Sequence, residues 1–366
     1  MFKLKKEYIF DDKEAFFSNY NIRELIFFDI ETTGFSIEYS IVYLIGVIYY
    51  KNNQWILEQF FADNPSEEKE IIEEFFLLAS NYSYIIHFNG DNFDIPYLEK
   101  KASLYDIETP FSKMSSIDIL KHIRPYQKIL GLENCKLKTI EMFLGINRKD
   151  IYSGKDLIEQ YNNYCENKKQ KLKENILLHN EEDLYGLIKT VKIYGIINYI
   201  NNLKDINFIK ALKSLDFTKA NTLIFSIELL NPSPISLVLE DENWSCVIKK
   251  DSSLITFNVT IINDIMYHFF PNYKDYFYLI EEDEAIHKSL GIFLPKDKRK
   301  AAKVSNCYTK KKGAFLQIFD TSMDLPIFKK SYNSKDAYIL FDYNEIKNHK
   351  LKLINLSIDF IKSKLI

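Results

Sequence analysis

The chain has 366 residues, a length that suits two domains, and its formal net charge of −3 excludes a uniformly basic nucleic-acid-binding surface. Its four cysteines, Cys135, Cys165, Cys246 and Cys307, form no CxxC pair, which excludes a zinc ribbon and a disulfide framework. The N-terminus lacks the apolar run of a signal peptide and no stretch is apolar enough to span a membrane, so we expect a cytoplasmic protein.

Over the first hundred residues, the sequence predicts three strands, then a helix, a fourth strand and a second helix. Apolar runs predict strands at 25–30, 40–50 and 54–61, whose short connections favour an antiparallel meander. A helix is expected next, capped by Asn64 or Ser66. A fourth strand at 84–88 and a helix at 92–104 follow.

Helical spacing dominates the middle of the chain, and strands return near the end. Residues 113–120 fit either a fifth strand or the start of a helix, and 136–195 carry apolar residues at three- and four-residue spacing. Later expected elements are strands at 234–239, 244–249 and 253–262, and a helix at 351–364. These elements predict an α/β domain with a mixed sheet over 1–204 and a smaller α+β domain over 205–366.

Two carboxylates end the first predicted strand. Asp29 and Glu31 are two residues apart, so both side chains point to the same face of the strand. Carboxylates this close stay ionised together when a cation lies between them. A pair of solvent-exposed residues at a strand end is the alternative interpretation.

A second acidic segment, FNGDNFDIP, follows the fourth predicted strand and places Asp94 at the start of a helix. Because a helix N-terminus attracts negative charge, Asp91, Asn92 and Asp94 are equally good candidates for helix caps. Asp118 has two interpretations as well: it orients a water or a basic residue at a metal site, or it caps a helix.

The third segment, HNEED, places His179 and Asp183 four residues apart, and therefore on one face of a helix. A solvated polar face is the alternative for this segment taken alone.

The three segments together resemble a known superfamily. In chain order, FFDIETTGF, HFNGDNFDIPYLEKK and HNEEDLYGL resemble the three motifs of the DEDD 3′–5′ exonucleases, which have a ribonuclease-H-like fold. The second is similar to the proofreading domains of family-B polymerases. LKTIEMFLGINRKDIYSGKDLIEQY, followed by ILLHNEEDL, resembles the YprB-like bacterial branch. The resemblance covers about residues 20–200.

This resemblance implies a ribonuclease-H-like mixed sheet, with antiparallel strands 1–3 and additional parallel strands, flanked by helices. It also implies hydrolysis of phosphodiester bonds with two Mg²⁺ or Mn²⁺ ions held by Asp29, Glu31, Asp94 and Asp183. His179 takes the place of the general base, although its spacing of four from the last aspartate is that of the tyrosine versions. The expected partner is a single-stranded 3′ end of DNA or RNA, contacted by Thr32, Thr33, Phe35, Asn89 and Phe93.

Other interpretations stay open at this point. An endonuclease or flap-type nuclease would use the same acids, and a catalytically inactive nucleic-acid-binding scaffold would keep the fold alone. Phe35 fits a core position as well as a base-stacking one. In the second domain, the basic run 296–312 fits either a phosphate-binding surface, with Tyr308 as an aromatic contact, or a solvated loop.

Overall fold

A computed structural model describes residues 1–8, 16–148, 152–322 and 325–365. The chain forms two compact units, Met1–Asn198 and Tyr199–Ile366. The domain boundary expected at 204/205 remains a prediction. Lys149, Asp150 and Ile151, which belong to the stretch that resembles the YprB-like branch, lie outside the described residues.

The first unit is built on a six-stranded mixed sheet. In chain order its strands are β1 (Phe2–Tyr8), β2 (Leu25–Thr32), β3 (Val42–Lys51), β4 (Gln54–Phe61), β5 (Tyr84–His87) and β6 (Ser115–Asp118). The spatial order is β1-β4-β3-β2-β5-β6. Strands β2, β3 and β4 form the expected antiparallel meander, and β5 runs parallel to both β2 and β6. This arrangement confirms the predicted mixed sheet.

Helices cover the sheet of the first unit. They are α1 (Glu68–Ala79), α2 (Asp94–Tyr105), α3 (Ile119–Ile123), α4 (Leu137–Phe143), α5 (Gly154–Asn167), α6 (Gln170–Thr190) and α7 (Lys192–Asn202), and the division between the units falls within α7. The segment 113–120, which fitted either a strand or a helix, contains both β6 and the start of α3.

The faces of β2 explain where the acids lie. Ile26, Phe28 and Ile30 enter a buried cluster with Phe75 of α1. Because side chains alternate along a strand, Asp29 and Glu31 project from the other face. That face packs against α6, since the amide of Asn180 reaches Asp29.

The second unit has α+β architecture. Its strands are β7 (Ile209–Phe217), β8 (Thr222–Leu229), β9 (Leu237–Glu240), β10 (Trp244–Ile248), β11 (Leu254–Thr260), β12 (Ile262–Phe269), β13 (Tyr276–Leu279), β14 (Glu284–His287), β15 (Arg299–Ala301), β16 (Tyr308–Ile318) and β17 (Ala337–Leu340). They form sheets in the orders β7-β8-β11-β10-β9, β12-β16-β17 and β14-β13-β15. The described helices after α7 are α8 (Lys288–Gly291), α9 (Tyr343–Asn348) and α10 (Lys350–Lys364).

Among the described residues, no helix is both long and apolar enough to cross a membrane.

Candidate active site

Acidic side chains from β2 and α6 converge on one face of the sheet. Ligand atoms of Glu31, His179 and Asp183 all lie within 4.8 Å of one another. The Nε2 atom of His179 is 3.7 Å from Oε1 of Glu31 and 3.4 Å from Oδ2 of Asp183. The first and third sequence motifs, about 150 residues apart in the chain, therefore meet in space.

Asp94 lies close enough to the acidic pair for its charge to act on Asp29. It is the first residue of α2, and the backbone N–H groups of Asp94 itself and of Ile30, which lies between Asp29 and Glu31, favour its ionised form. Only 8% of Asp94 is exposed. Burial raises its pKa to about 7. Asp94 is thus fixed beside the acidic pair and is not a surface cap.

The electrostatics of Asp29 show how crowded the cluster is. Burial raises the pKa of Asp29 well above its ordinary value, and the negative charges of Asp183, Glu31 and Asp94 raise it further. A carboxyl group whose ionisation is opposed by three neighbouring acids is stable as an anion when cations bind among them. The donor set is made of hard carboxylate oxygens, the ligands that Mg²⁺ and Mn²⁺ prefer, so these residues fit such ions.

Asn180 holds Asp29 in place and was missed from the sequence. Its Nδ2 donates to Oδ2 of Asp29 at 3.0 Å, while its Oδ1 accepts from Nε2 of Gln59 at 2.9 Å. The same Nε2 of Gln59 donates to the backbone carbonyl of Leu177. Helix α6 is thereby tied to β4 by buried hydrogen bonds and to β2 by a partly buried one.

Gly46 on β3 permits this close approach of α6. It pairs with Asp29 across the sheet, and a Cβ atom at this position would overlap Oδ1 of Asn180 and lie 2.6 Å from Cδ1 of Leu184. An isolated glycine in the apolar run SIVYLIGVIYY is the signal that could have revealed the contact, because such a residue often marks a close backbone approach.

The segment after β2 exposes an aromatic side chain next to Phe93, the residue that precedes Asp94. Phe35 is 90% exposed, which excludes the interpretation of a core residue, and its ring meets that of Phe93 edge-to-face at 5.8 Å. Thr32 and Thr33 shape the turn: the hydroxyl of Thr32 donates to the carbonyl of Gly34, and that of Thr33 accepts from the N–H of Ile41.

Two further candidate residues lie in the loop between β5 and α2 and at the end of β6. Asn89 has a positive φ of 66°, and its backbone N–H donates to Oδ1 of Asp118 at 2.8 Å. The same Oδ1 accepts from the N–H of Leu120, so Asp118 caps α3. The helix-cap interpretation of Asp118 accounts for these contacts.

In the second unit, the basic run 296–312 is divided between strands, short turns and loops. Lys298 pairs with Glu281 and Lys310 with Asp283, whereas Lys296, Lys300, Lys303, Lys311 and Lys312 are exposed. The hydroxyl of Tyr308 donates to Asp283, and its ring packs on Tyr267 at 4.7 Å. Tyr308 is therefore held by protein contacts.

Comparison with known proteins agrees with this fold. Residues 26–194 match the model of a family described as the RNase_H superfamily. DNA polymerase 1 of Sulfurisphaera ohwakuensis is 27% identical over 137 residues, which cover 29% of this chain and 16% of that polymerase. The N-terminal unit thus has a ribonuclease-H-like fold, as the motifs predicted, while the YprB-like branch stays a prediction.

Solved structures give a more distant likeness. The family B DNA polymerase of Pyrobaculum calidifontis aligns at a TM-score of 0.40 with 11% identity, covering 71% of this chain and 35% of that one. E. coli exonuclease I in complex with an oligonucleotide aligns at 0.33 with 13% identity, covering 61% of this chain and 54% of that one. The chain therefore spans about half or less of each of these proteins.

Proposed function

We propose that the chain is a metal-dependent nuclease that hydrolyses phosphodiester bonds of DNA or RNA from a single-stranded 3′ end. The observation that carries the proposal is the convergence of Asp29, Glu31, Asp94 and Asp183 in one partly buried cluster. These four residues would hold two Mg²⁺ or Mn²⁺ ions. Such ions activate an attacking water and stabilise the departing oxygen in phosphoryl-group hydrolysis.

His179 is the proposed proton acceptor. Its imidazole lies on the edge of the cluster, within 4 Å of oxygens of both Glu31 and Asp183, and its side chain is 7% exposed. An imidazole is well suited to take a proton from water near neutral pH. The same helix supplies Asp183 one turn later, so the rigid backbone of α6 fixes the spacing of base and ligand.

The turn that follows β2 provides the proposed contact for the terminal nucleotide. Phe35 presents an exposed ring, and Phe93, the residue before Asp94, contacts that ring edge-to-face. Aromatic rings bind bases of any sequence by stacking, which suits an enzyme that removes successive nucleotides. Thr32 and Thr33 hold the turn in shape, and Asn89 and Phe93, in the loop before α2, are assigned to the same proposed contact.

The names of two similar proteins concern nucleic acid and do not bear on the direction of attack. One is named a DNA polymerase, and another is an exonuclease I solved with a bound oligonucleotide. Their names concern those proteins, and the activity is proposed for this chain because its own acids are arranged for it.

The direct test is digestion of matched DNA and RNA strands carrying a 5′ label. With Mg²⁺ or Mn²⁺, the wild-type protein should give a ladder that shortens from the 3′ end, and EDTA should abolish it. Asp29→Ala, prepared in parallel, should give no ladder. A ladder that persists in EDTA or in Asp29→Ala would refute the proposal.

A circular single strand distinguishes the proposed exonuclease from an endonuclease that uses the same site. A circular single strand has no 3′ end, so the proposed enzyme should leave the circle intact while degrading the linear form of the same sequence. Cleavage of both at similar rates would assign an endonuclease. Undetectable Mn²⁺ binding by the wild-type protein would assign a non-catalytic scaffold.

A further inference from the structure

Arg148 lies in the loop that follows α4 and contacts two acids at once. Its Nη1 atom donates to Oδ1 of Asp183, its Nε to Oε2 of Glu141, and its Nη2 to Oε1 of Glu141 at 2.7 Å. The side chains of Arg148 and Glu141 are 10% and 1% exposed. A forked, buried guanidinium–carboxylate pair of this kind has little freedom to move.

Glu141 is itself held against α6. A Cβ atom at Gly186 would overlap Oε1 of Glu141 and lie 2.7 Å from its Cδ atom, so the carboxylate occupies the space left by the missing side chain. Gly186 follows Asp183 by three residues, and the two therefore share a helix face. The glycine lets the Glu141–Arg148 pair lie directly beside Asp183.

The two oxygens of Asp183 have different neighbours. Arg148 binds Oδ1, whereas Oδ2 faces Nε2 of His179 at 3.4 Å. A carboxylate held at one oxygen by a fixed donor has its second oxygen oriented as well.

We propose that Arg148, fixed by Glu141, is a positioning residue that anchors one oxygen of Asp183 and turns the other toward Glu31 and His179. This inference rests on the proposed function, because it assigns the orientation of one proposed metal ligand. The partners of metal ligands set ligand orientation, and their loss typically weakens metal binding roughly 10–100-fold.

If Arg148 acts only as a counter-charge, the Mn²⁺ affinities of its variants should differ from those expected for a positioning residue. If Arg148 served only to offset the negative cluster, its removal would strengthen the attraction of the cluster for divalent cations. Arg148→Gln would then bind Mn²⁺ more tightly than the wild type. Arg148→Lys, which keeps the charge, and Glu141→Gln/Arg148→Gln, which leaves the net charge unchanged, would bind Mn²⁺ as the wild type does.

The test is titration of the full-length protein with Mn²⁺ alone, followed by electron paramagnetic resonance or calorimetry. Arg148→Lys, Arg148→Gln and the Glu141→Gln/Arg148→Gln double variant should each bind Mn²⁺ roughly 10–100-fold more weakly. Thermal melting in EDTA and circular dichroism identify variants that remain folded. Arg148→Lys, the smallest change, keeps the test decisive if the double variant does not fold.

A double-mutant cycle separates positioning of Asp183 from a general structural effect. In an Asp183→Asn background, Arg148→Lys should weaken Mn²⁺ binding no further, because the oriented oxygen ligand is already altered. Equal additional loss in both backgrounds, or folded variants with wild-type or tighter affinity, would overturn the inference. Absence of Mn²⁺ binding by the wild type would instead overturn the proposed function.

Discussion

Asp183 and His179 lie one turn apart on α6, yet their removal should have unequal effects. Asp183→Asn removes the charge of a proposed metal ligand. His179→Ala removes a proposed proton acceptor, and general-base catalysis contributes a factor of roughly 10²–10⁴ to the rate. We expect Asp183→Asn to lower kcat more than His179→Ala does. Initial rates of nucleotide release at saturating Mg²⁺ measure this ranking. An active Asp183→Asn beside an inactive His179→Ala would reverse the assigned roles.

Phe35 offers a separate prediction, because its exposed ring contributes little to the core. Stacking on one base is worth ~1–3 kcal/mol, so Phe35→Ala should raise KM roughly 5–150-fold for a single-stranded substrate. The melting temperature should stay close to that of the wild type. Phe35→Trp, which keeps an aromatic face, is the matched control and should retain a low KM. Equal KM values for all three proteins would remove Phe35 from the substrate site.

The residues of the candidate site differ in how visible they are in the sequence. Asp29, Glu31, Asp94 and Asp183 stand in local motifs whose order along the chain predicts a common site. Arg148 carries no such local pattern. Its contacts depend on the path of the loop after α4, which brings it to an acid 35 residues later in the chain. Pairings set by tertiary structure of this kind cannot be predicted from spacing.

At the scale of elements, the contact of α6 with the sheet depends on Gly46. Gly46→Ala would place a methyl group against Asn180 and Leu184, and overpacking of this kind costs about 1–3 kcal/mol. We expect a lower free energy of unfolding and weaker Mn²⁺ binding, because α6 carries His179 and Asp183. Denaturant unfolding and Mn²⁺ titration measure the two effects.

Gly154 provides the control for this substitution. It is the first residue of α5, and a Cβ atom there would meet no neighbouring atom within 4 Å. Gly154→Ala should change the free energy of unfolding by no more than about 0.5 kcal/mol. If both glycine variants unfold alike, the close approach of α6 at Gly46 is not required for stability.

Prediction of the elements succeeded where apolar patterning was strong. Strands β2 to β5 and helix α10 lie close to their expected positions, because continuous apolar runs or helical spacing mark them. Strand β1 was missed. Its sequence, FKLKKEY, is rich in charge, and it pairs with β4 at the end of the strand order, where charged side chains are favoured. In the second unit, β7, β8 and the strands from β12 to β17 were missed as well.

At the scale of the whole molecule, the acidic cluster should make stability depend on pH. Burial raises the pKa of Asp94 to about 7 and that of Asp29 well above its ordinary value, so the folded protein keeps protons that the unfolded chain releases near pH 4. These groups contribute stability below about pH 4 that is lost progressively as the pH rises toward 7.

Melting curves of the protein in EDTA between pH 5 and pH 8 measure this effect. The melting temperature of the wild type should fall with rising pH, and that of Asp94→Asn should fall less, since one of the raised groups is absent. Adding Mg²⁺ should reduce the fall in the wild type, because bound cations favour the ionised carboxylates. Identical slopes for the wild type and Asp94→Asn would contradict the raised pKa of Asp94.

The most direct measurement of the proposed metal site is X-ray diffraction from crystals soaked in Mn²⁺, recorded where manganese scatters anomalously. The proposed function predicts anomalous peaks among the carboxylates of Asp29, Glu31, Asp94 and Asp183, and loss of those peaks in crystals of Asp29→Ala. Four carboxylates found in well-ordered density with no manganese among them, or manganese bound only elsewhere, would contradict it.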